Sequence, residues 1–254
     1  MHPVLFQLGP ITIYTYGLFV ATGLLLGITL ALRQARREGL NSQLLLDMFF
    51  YIILAAIIGA RILYVIQNVS SYRGNPLAVF KLWEGGLVFH GGLLGAIPVA
   101  WFFIKRYDLS FWSVFDVVAP SLAIGQALGR IGCFFAGCCY GIPTEVPWAV
   151  TFTHPRSLAP LGIALHPTQL YSSLGCFIIF FVLVGLRKHR SFSGQLACLY
   201  LLFHSVFRFS VEFLRGDPKF WFWNHTLSHP QVISVGIFGS ALVCYWYCRK
   251  HYRL

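Results

Sequence analysis

Charged residues are scarce in this sequence, and acidic ones are scarcer still. Only 11% of the 254 residues are Asp, Glu, Lys or Arg, and Asp and Glu together number 8. Soluble globular domains usually carry about 25% charged residues, so this composition excludes an ordinary soluble domain. Hydrophobic residues make up 57% of the chain. The sequence therefore predicts an integral membrane protein.

The sequence also has no basic arm or basic soluble domain, although its formal net charge is +11. The 19 Lys and Arg residues lie mostly in short connections between apolar runs. That distribution is explained by membrane orientation and by attraction to anionic lipid, so no nucleic-acid partner is predicted. The N-terminal stretch has no Lys or Arg before its apolar core and no evident small-residue cleavage site. We expect this first apolar segment to be retained and not removed as a signal peptide.

Seven apolar stretches are each about long enough to cross a bilayer as a helix, which takes about 20 residues. They are residues 14–33, 45–67, 87–104, 112–134, 167–186, 194–214 and 230–248. No long linker, low-complexity segment or clear internal repeat interrupts them. We therefore predict an all-α membrane protein with seven transmembrane helices and one integral-membrane domain, residues 1–254.

Lys and Arg are unequally divided between the two sides of this predicted bundle. The connections after the odd-numbered spans contain Arg33, Arg36, Arg37, Lys105, Arg106, Arg187, Lys188, Arg190, Arg249, Lys250 and Arg253. The opposite side contains only Arg73, Lys81, Arg156, Arg215 and Lys219. Because cytoplasmic loops carry the excess of Lys and Arg, we predict an outside N-terminus and a cytoplasmic C-terminus.

Polar residues gather in the predicted outer half of the membrane. This half contains Tyr14, Tyr16, Arg61, His90, Arg130, Gln169, Tyr171, His204, Arg208 and Glu212. With a rise of 1.5 Å per residue, the three arginines lie roughly 6 to 10 Å below the outer boundary. A single arginine could extend its charged head to the interface. Three at similar depth, beside histidines, predict a shared polar cavity.

In the segment "GRIGCFFAGCCYG" at residues 129–141, three cysteines follow Arg130. Cys133, Cys138 and Cys139 match zinc sites poorly, because no second ligand pair accompanies them, and we predict no metal. A disulfide among them stays open. The glycines at 129, 132, 137 and 141 allow close backbone approach, either for helix packing or for a pocket beside Arg130. Arginine can hold a phosphate with two parallel hydrogen bonds.

Three further motifs each have a structural and a functional interpretation. His90 in "LVFHGGLLGA" is either an interhelical hydrogen-bonding residue or a proton acceptor. The "LHPTQLY" motif at 165–171 either caps a helix or contributes to a site. In "FRFSVEFLR", Arg208, Glu212 and Arg215 share one helix face, as a structural ion pair or as part of the site.

Five motifs in order resemble the bacterial prolipoprotein diacylglyceryl transferases. They are "TYGL" at 15–18, "FHGGLLG" at 89–95, "GRIGCF" with Gly141, "HPTQLY" at 166–171 and "FRFSVEFLR" at 207–215. The resemblance implies a multi-pass enzyme of the bacterial inner membrane. Such an enzyme moves the diacylglyceryl group of phosphatidylglycerol onto the lipobox cysteine of a prolipoprotein signal peptide and releases glycerol phosphate. It implies no metal or organic cofactor, and its partners are these two substrates and the membrane lipids.

The resemblance and the outer-half position together define the candidate site. We predict catalytic roles for His90, Arg130 and Arg208. We predict substrate-binding roles for Tyr16, Arg61, Cys133, Gly141, His166, Gln169, His204, Glu212 and Arg215. This chain departs from the family pattern at four positions, with Cys133 for Asn, Cys138 for Glu, Ser172 for an acidic residue and His204 for Tyr.

Two other hypotheses stay open. One is a transferase of the same family with a different acceptor, because the departures remove hydrogen-bonding and carboxylate groups. The other is an anion or lipid transporter that uses the same arginines. A transporter usually places its site near the midplane with a second gate, and the charge-poor inner half here offers none.

Overall fold

The computed structural model describes residues 2–8, 11–72, 74–81, 85–216, 221–222 and 227–253, and this part of the chain is mostly helical. The long helices are α1 (Thr15–Arg37), α2 (Ser42–Gln67), α4 (Phe89–Arg106), α5 (Phe111–Ala136), α6 (Thr168–Leu186), α7 (Gln195–Glu212) and α8 (His229–His251). The short helix α3 (Val69–Tyr72) and the 3-10 turns Pro76–Phe80 and Arg187–His189 lie in connections. Each of the seven predicted stretches coincides with one long helix. Arg73 and Lys219, used for the predicted orientation, lie outside the described residues.

Five of these helices are long and apolar enough to cross a membrane. The candidate spans are Thr15–Arg37, Ser42–Gln67, Phe111–Ala136, Thr168–His189 and His229–His251. Helices α4 and α7 are not among them; both are 18 residues long, α4 ends in Lys105 and Arg106, and α7 contains Arg208 and Glu212. The helices fit a multi-pass membrane protein. The count of seven spans and the orientation stay predictions.

Three short strand pairs lie in the connections, and the sequence analysis did not predict them. Strands β1 (Val4–Leu8) and β2 (Ile11–Tyr14) pair antiparallel ahead of α1. Strands β3 (Val150–Thr151) and β4 (Ala164–Leu165) pair between α5 and α6. Strands β5 (Trp221–Phe222) and β6 (Leu227–Ser228) pair just before α8.

The chain divides into two compact units. The first contains Met1–Ala31 and Phe115–Leu254, and the second contains Leu32–Val114. Whether they act as the single domain predicted from the sequence stays a prediction. The first unit has an apolar core at the contact of α5, α6 and α7, formed by Ala119, Ala123, Ile179, Leu183, Leu196 and Tyr200.

A buried carboxylate in the first unit fixes the start of α7. Asp116 is fully buried and accepts hydrogen bonds from the backbone N–H of Gly194 at 2.7 Å and of Ala197 at 2.9 Å. The Arg190 guanidinium lies 3.5 Å from the same carboxylate. The first N–H groups of a helix have no partner within it and favour negative charge. Asp116 therefore stabilises the N-terminus of the helix whose other end carries the arginines.

In the second unit, helices α2 and α4 pack at backbone distance through glycines. A Cβ added at Gly91 would lie 2.4 Å from the carbonyl oxygen of Gly59, and one at Gly95 would lie 2.2 Å from that of Ala55. Distances this short exclude any side chain at these two positions. Small residues permit such close helix contacts in membranes, where van der Waals packing drives association.

Candidate active site

The C-terminal end of α7 contains a buried carboxylate between two arginines. Glu212 is 4% exposed and forms an ion pair with Arg208 through its Oε2 atom. The Nε atom of Arg215 lies 3.8 Å from the same oxygen. The other oxygen, Oε1, accepts a hydrogen bond from the Ser228 hydroxyl at 3.1 Å. Both carboxylate oxygens are thus occupied, and Glu212 is suited to orient the two arginines.

The third arginine of this region has no such partner. Arg130, half-buried in α5, makes no hydrogen bond or ion pair with any residue that the structure describes. Its charge acts electrostatically on Arg208 and on His204. Arg130 therefore adds a positive charge to a partly desolvated place that already contains Arg208 beside Glu212. A bound anion would balance the charge of Arg130, and a phosphate fits the planar fork of arginine.

A backbone junction holds this region together. It joins three segments: residues 140–142, 164–166 and 214–216. The N–H of Gly141 donates to the carbonyl of His166 at 3.0 Å, and the N–H of Ile142 donates to the carbonyl of Leu214 at 2.9 Å. The junction thereby brings the ends of α5 and α7 and the start of α6 to one place, which is where three of the sequence motifs meet.

The two glycines of the backbone junction leave no room for side chains. A Cβ at Gly141 would lie 2.5 Å from the carbonyl oxygen of His166, and one at Gly216 would lie 2.5 Å from that of Gly141. Both neighbours are backbone atoms, which cannot move aside as a flexible side chain could. Gly141 was predicted to bind substrate, and the structure shows it packed against two backbone segments.

The chain turns back sharply where α5 ends. Gly137 has a φ of +79° and Cys139 a φ of +60°, which is uncommon for a residue other than glycine. As a result the sulfur atoms of Cys133, Cys138 and Cys139 lie within 4.8 Å of one another. The sequence spacing had shown three cysteines in one segment, and the turn converts them into a cluster.

The start of α6 fixes the backbone of this turn. The Thr168 hydroxyl donates to the carbonyl of Cys139 at 2.7 Å, and the Gln169 Nε2 donates to the carbonyl of Cys138 at 2.9 Å. Gln169 is 1% exposed, and its Oε1 atom has no hydrogen-bond partner among the described residues. A buried amide oxygen without a partner is costly, so Gln169 is a candidate acceptor for a substrate hydroxyl.

His204 and Tyr16 lie in electrostatic range of Arg130. The His204 ring stacks on Tyr200 with 5.6 Å between centroids, and its Nδ1 is buried without a partner in the described part of the chain. Tyr16, in the first turn of α1, is 44% exposed and interacts electrostatically with Arg130 and with the three cysteines. Both predicted site residues thus belong to the same region as the arginines.

The comparison with known proteins assigns the chain to a family. The sequence model of the family described as prolipoprotein diacylglyceryl transferase matches residues 3–247. A protein from Clostridium tetani named phosphatidylglycerol–prolipoprotein diacylglyceryl transferase is 38% identical over 219 residues, covering 86% of this chain and 87% of the relative. One of the same name from Halalkalibacterium halodurans is 38% identical over 250 residues, covering 97% and 86%. The chain belongs to the prolipoprotein diacylglyceryl transferase family.

The four departures from the transferase family pattern differ in their surroundings. Cys133 and Cys138 belong to the thiol cluster, and His204 lies in electrostatic range of Arg130. The Ser172 hydroxyl donates to the carbonyl of Thr168 within its own helix at 2.7 Å. Three of the departures therefore lie in the region of Arg130, whereas Ser172 satisfies its hydrogen bond locally.

Charge and hydrogen bonding differ among the thiols of the cluster. Hydrogen bonds with Cys133 and Cys138 lower the pKa of the Cys139 thiol, and the positive charges of Arg215 and Arg130 act in the same direction. Hydrogen bonds with Cys133 and Cys139, followed by burial, raise the pKa of the Cys138 thiol. Cys139 is therefore the thiol of this pair that ionises first.

Two predicted site residues of this transferase, Arg61 and His90, lie in the second unit. Arg61 is 6% exposed and donates to five backbone carbonyls, with distances of 2.7 Å to Val79 and Gly85 and 2.8 Å to Ala78. The remaining two bonds go to Gly86 and Lys81. An arginine has five N–H donors, so none is left for a phosphate. This arrangement favours a role in holding the 74–81 connection over the predicted contact with substrate.

His90 is exposed in the first turn of α4. Its ring makes an edge-on contact with Phe89, with 6.0 Å between the centroids. An exposed imidazole on a helix end is accessible to a reacting group. Its catalytic role stays a prediction.

Sequence reasoning missed several residues that support the site. His166 was predicted, but its partner was not: its Nδ1 lies 3.2 Å from the Tyr171 hydroxyl, which accepts a hydrogen bond from Trp148 Nε1 at 2.6 Å. Ser228 was missed too, although the spacing of Ser228 and Gln231 is the signature of a capping box, and the structure forms that box. The spacing of Ser228 and Gln231 predicts the start of α8, but it does not predict the contact of Ser228 with Glu212.

Proposed function

We propose that this chain transfers the diacylglyceryl group of phosphatidylglycerol to the lipobox cysteine of a prolipoprotein and releases glycerol phosphate. The observation that carries the proposal is the half-buried guanidinium of Arg130, which has no hydrogen bond or ion pair with any described residue and lies in electrostatic range of the Arg208–Glu212 ion pair. The relatives described above bear the name of this activity. Phosphatidylglycerol supplies the single negative phosphate charge that such a site accepts.

The reaction balances without an oxidant or reductant. The acceptor thiol loses its proton, and the thiolate sulfur forms a bond to the glyceryl carbon that carries the phosphate. The bond between that carbon and the phosphate oxygen breaks. Because glycerol phosphate leaves with one more negative charge than the phosphodiester had, positive groups at the phosphate stabilise the transition state more than the ground state.

In this proposal the three arginines interact with the phosphate in different ways. Arg130, which has no described partner, grips the phosphate oxygens directly. Arg208 and Arg215 are held in orientation by Glu212, so their donors are placed before the charge develops. Gln169 Oε1 accepts a hydrogen bond from the glycerol head, which satisfies its buried oxygen.

The remaining predicted residues have assisting roles in the proposal. His90 takes the proton of the acceptor thiol, since imidazole is suited to proton transfer near neutral pH. Tyr16, His166 and His204 line the lipid head, and Cys133 contacts the same region through the thiol cluster. Arg61 acts on substrate only through the connection that it holds.

We further propose that the chain spans the bacterial inner membrane seven times as one domain, with its N-terminus outside. The unequal division of Lys and Arg supports this orientation, and the seven helices match the seven apolar stretches. The arginine site then faces the outer leaflet. An exported prolipoprotein, still tethered by its signal peptide, meets phosphatidylglycerol there.

One experiment tests the activity directly. Purified protein is incubated in phosphatidylglycerol vesicles with a lipobox peptide, and the peptide is analysed by mass spectrometry while released glycerol phosphate is assayed. We expect the mass of one diacylglyceryl group on the cysteine, with an equal amount of glycerol phosphate. A peptide with Ser in place of that cysteine is the control and should stay unmodified. Movement of labelled phosphatidylglycerol across the bilayer without any product would contradict the proposal and favour a transporter.

A further inference from the structure

In the reaction proposed above, the thiol cluster of Cys133, Cys138 and Cys139 only contacts the region of the lipid head and takes no part in bond making or breaking. Its three sulfur atoms lie within 4.8 Å of one another, and all three cysteines are free thiols in the structure. A zinc–sulfur bond is about 2.3 Å long, so two sulfurs on one such ion lie at most about 4.6 Å apart. Small side-chain rotations are therefore enough to bring all three onto one ion.

The backbone around the thiol cluster is fixed, which reduces the cost of assembling a site. Cys133 is in the last turn of α5, where the N–H of Gly137 donates to its carbonyl at 2.9 Å. The carbonyls of Cys138 and Cys139 are bound by Gln169 and Thr168, two side chains that are 1% exposed. A ligand set on a rigid backbone loses little conformational freedom when it binds an ion.

The charges nearby also favour such a complex. Three thiolates and a divalent ion together carry one net negative charge, after the thiols release three protons. The positive charges of Arg130 and Arg215 act on Cys139, and that of Arg130 also acts on Cys133. The complex is thus an anion beside the groups that hold the phosphate.

We propose that Cys133, Cys138 and Cys139 bind one thiophilic metal ion through three sulfur atoms. Within the described part of the chain, no fourth His, Cys, Asp or Glu joins the group. Three sulfur ligands without a fourth side chain suit soft ions of low coordination number, because thiolate selects ions such as Cu(I) and zinc over Mg²⁺ or Ca²⁺. The ion is an inhibitor and not a cofactor, since its complex draws Arg130 and Arg215 away from the phosphate. That inhibition rests on the proposed function, whereas the binding does not.

The binding is tested with Cd²⁺ as the probe, on the purified full-length chain kept reduced with a phosphine. We expect one Cd²⁺ per chain, with the ultraviolet charge-transfer absorption of sulfur bound to cadmium, and no competition from Mg²⁺. Replacing all three cysteines by Ser should abolish the absorption and weaken binding at least about 100-fold, since even outer-sphere changes weaken metal sites by 10- to 100-fold. Absence of the absorption in wild type, or its persistence in the triple variant, would overturn the proposal.

Two variants keep this test independent of folding and of the reaction. Cys198→Ser combined with Cys248→Ser alters two buried thiols of α7 and α8 outside the cluster, and it should retain the cadmium absorption. Cys139→Ser alone leaves two sulfurs and should weaken Cd²⁺ binding. This single variant tests the site if the triple variant does not fold.

The inhibition is measured as the ratio of transfer rates with and without saturating Cd²⁺ in each variant. We expect Cd²⁺ to lower the transfer rate at least about 10-fold in wild type, which is a ratio of about 0.1 or less, and we expect a ratio near one in the triple variant. An unchanged ratio in wild type, with the absorption present, would reject the link to the arginines. The absence of transfer in metal-free protein would reject the proposed function. It would leave the metal-binding proposal standing, because the cadmium absorption is measured without substrate.

Discussion

The hydroxyl of Ser228 donates to Glu212 Oε1 at 3.1 Å, so the N-cap residue of one helix is bonded to the carboxylate at the end of another. Ser228 is fully buried and is also the N-cap of α8, with its N–H donating to Gln231 Oε1 at 2.9 Å. The carboxylate that orients Arg208 is therefore held by the cap of α8. The Ser228 side chain therefore contributes both to the stability of the protein and to the geometry of the site.

Ser228→Ala should lower both stability and activity. It removes a helix cap and leaves one oxygen of a buried carboxylate without its donor, which together cost about 1 to 3 kcal/mol. Thermal unfolding in detergent and the rate of transfer measure the two effects. Ser240→Ala is the matched control, because that hydroxyl bonds only to Ile237 in an exposed part of the same helix. An equal loss of stability in both variants would contradict the assigned contact.

Arg130→Ala should reduce the rate of transfer at least about 100-fold while the protein stays folded, because a preorganised donor at the developing charge is lost. Arg130→Lys should also be poor, since a point charge does not reproduce the planar fork. Single-turnover transfer with saturating phosphatidylglycerol measures both. Arg156→Ala removes an exposed arginine and should keep the wild-type rate. Near-normal transfer by Arg130→Ala would show that the phosphate is held elsewhere.

Arg61→Ala should lower the stability of the protein and should affect its affinity for the lipid less. The change leaves five backbone carbonyls without their donor, and each buried unsatisfied group costs about 1 to 3 kcal/mol. We expect a lower unfolding temperature and faster proteolysis between residues 74 and 88. The control is Arg106→Ala, an exposed arginine that stacks on Tyr107. A stable Arg61→Ala protein with weakened lipid affinity would restore the direct contact predicted from the sequence.

His90→Gln should lower the transfer rate about 100-fold at pH 7 and leave phosphatidylglycerol affinity nearly unchanged, because the arginines hold the lipid. The defect should shrink as the pH rises. An acceptor thiol with a pKa of about 8.5 is mostly ionised at about pH 9.5 and then needs less help from a base. Rates and lipid affinities of wild type and variant across this range test the role, with His251→Gln as control. An equal fractional loss at every pH would leave His90 as an orienting residue.

The sequence predicted the positions of the helices well and the contacts at their ends less well. All seven apolar stretches are helical, because about 20 consecutive apolar residues leave few alternatives in a membrane. The strand pairs β3–β4 and β5–β6 were missed because two-residue strands show no periodicity. The count of seven spans stays a prediction at α4 and α7, where charges near the helix ends leave less apolar length.

The site was predicted in part for similar reasons. Arg130, Arg208 and Glu212 stood out because charge is costly in an apolar span. Depth alone also singled out Arg61, and it could not reveal the carbonyls of the 74–81 connection that occupy its donors. The thiol cluster depends on a left-handed backbone at Cys139, a conformation that cysteine rarely adopts and that no local pattern predicts.

The backbone junction also bears on how such an enzyme can diverge. Its hydrogen bonds join main-chain N–H and C=O groups, which nearly every amino acid supplies, so the frame around the arginines makes little demand on side-chain identity. The side chain of Ile142, which is exposed and contributes only backbone atoms to the junction, can therefore change while the arginines keep their places. Gly141 and Gly216 are the exceptions, because any Cβ there meets backbone. A saturation mutagenesis map of this region should show Gly141 and Gly216 as intolerant and Ile142 as permissive.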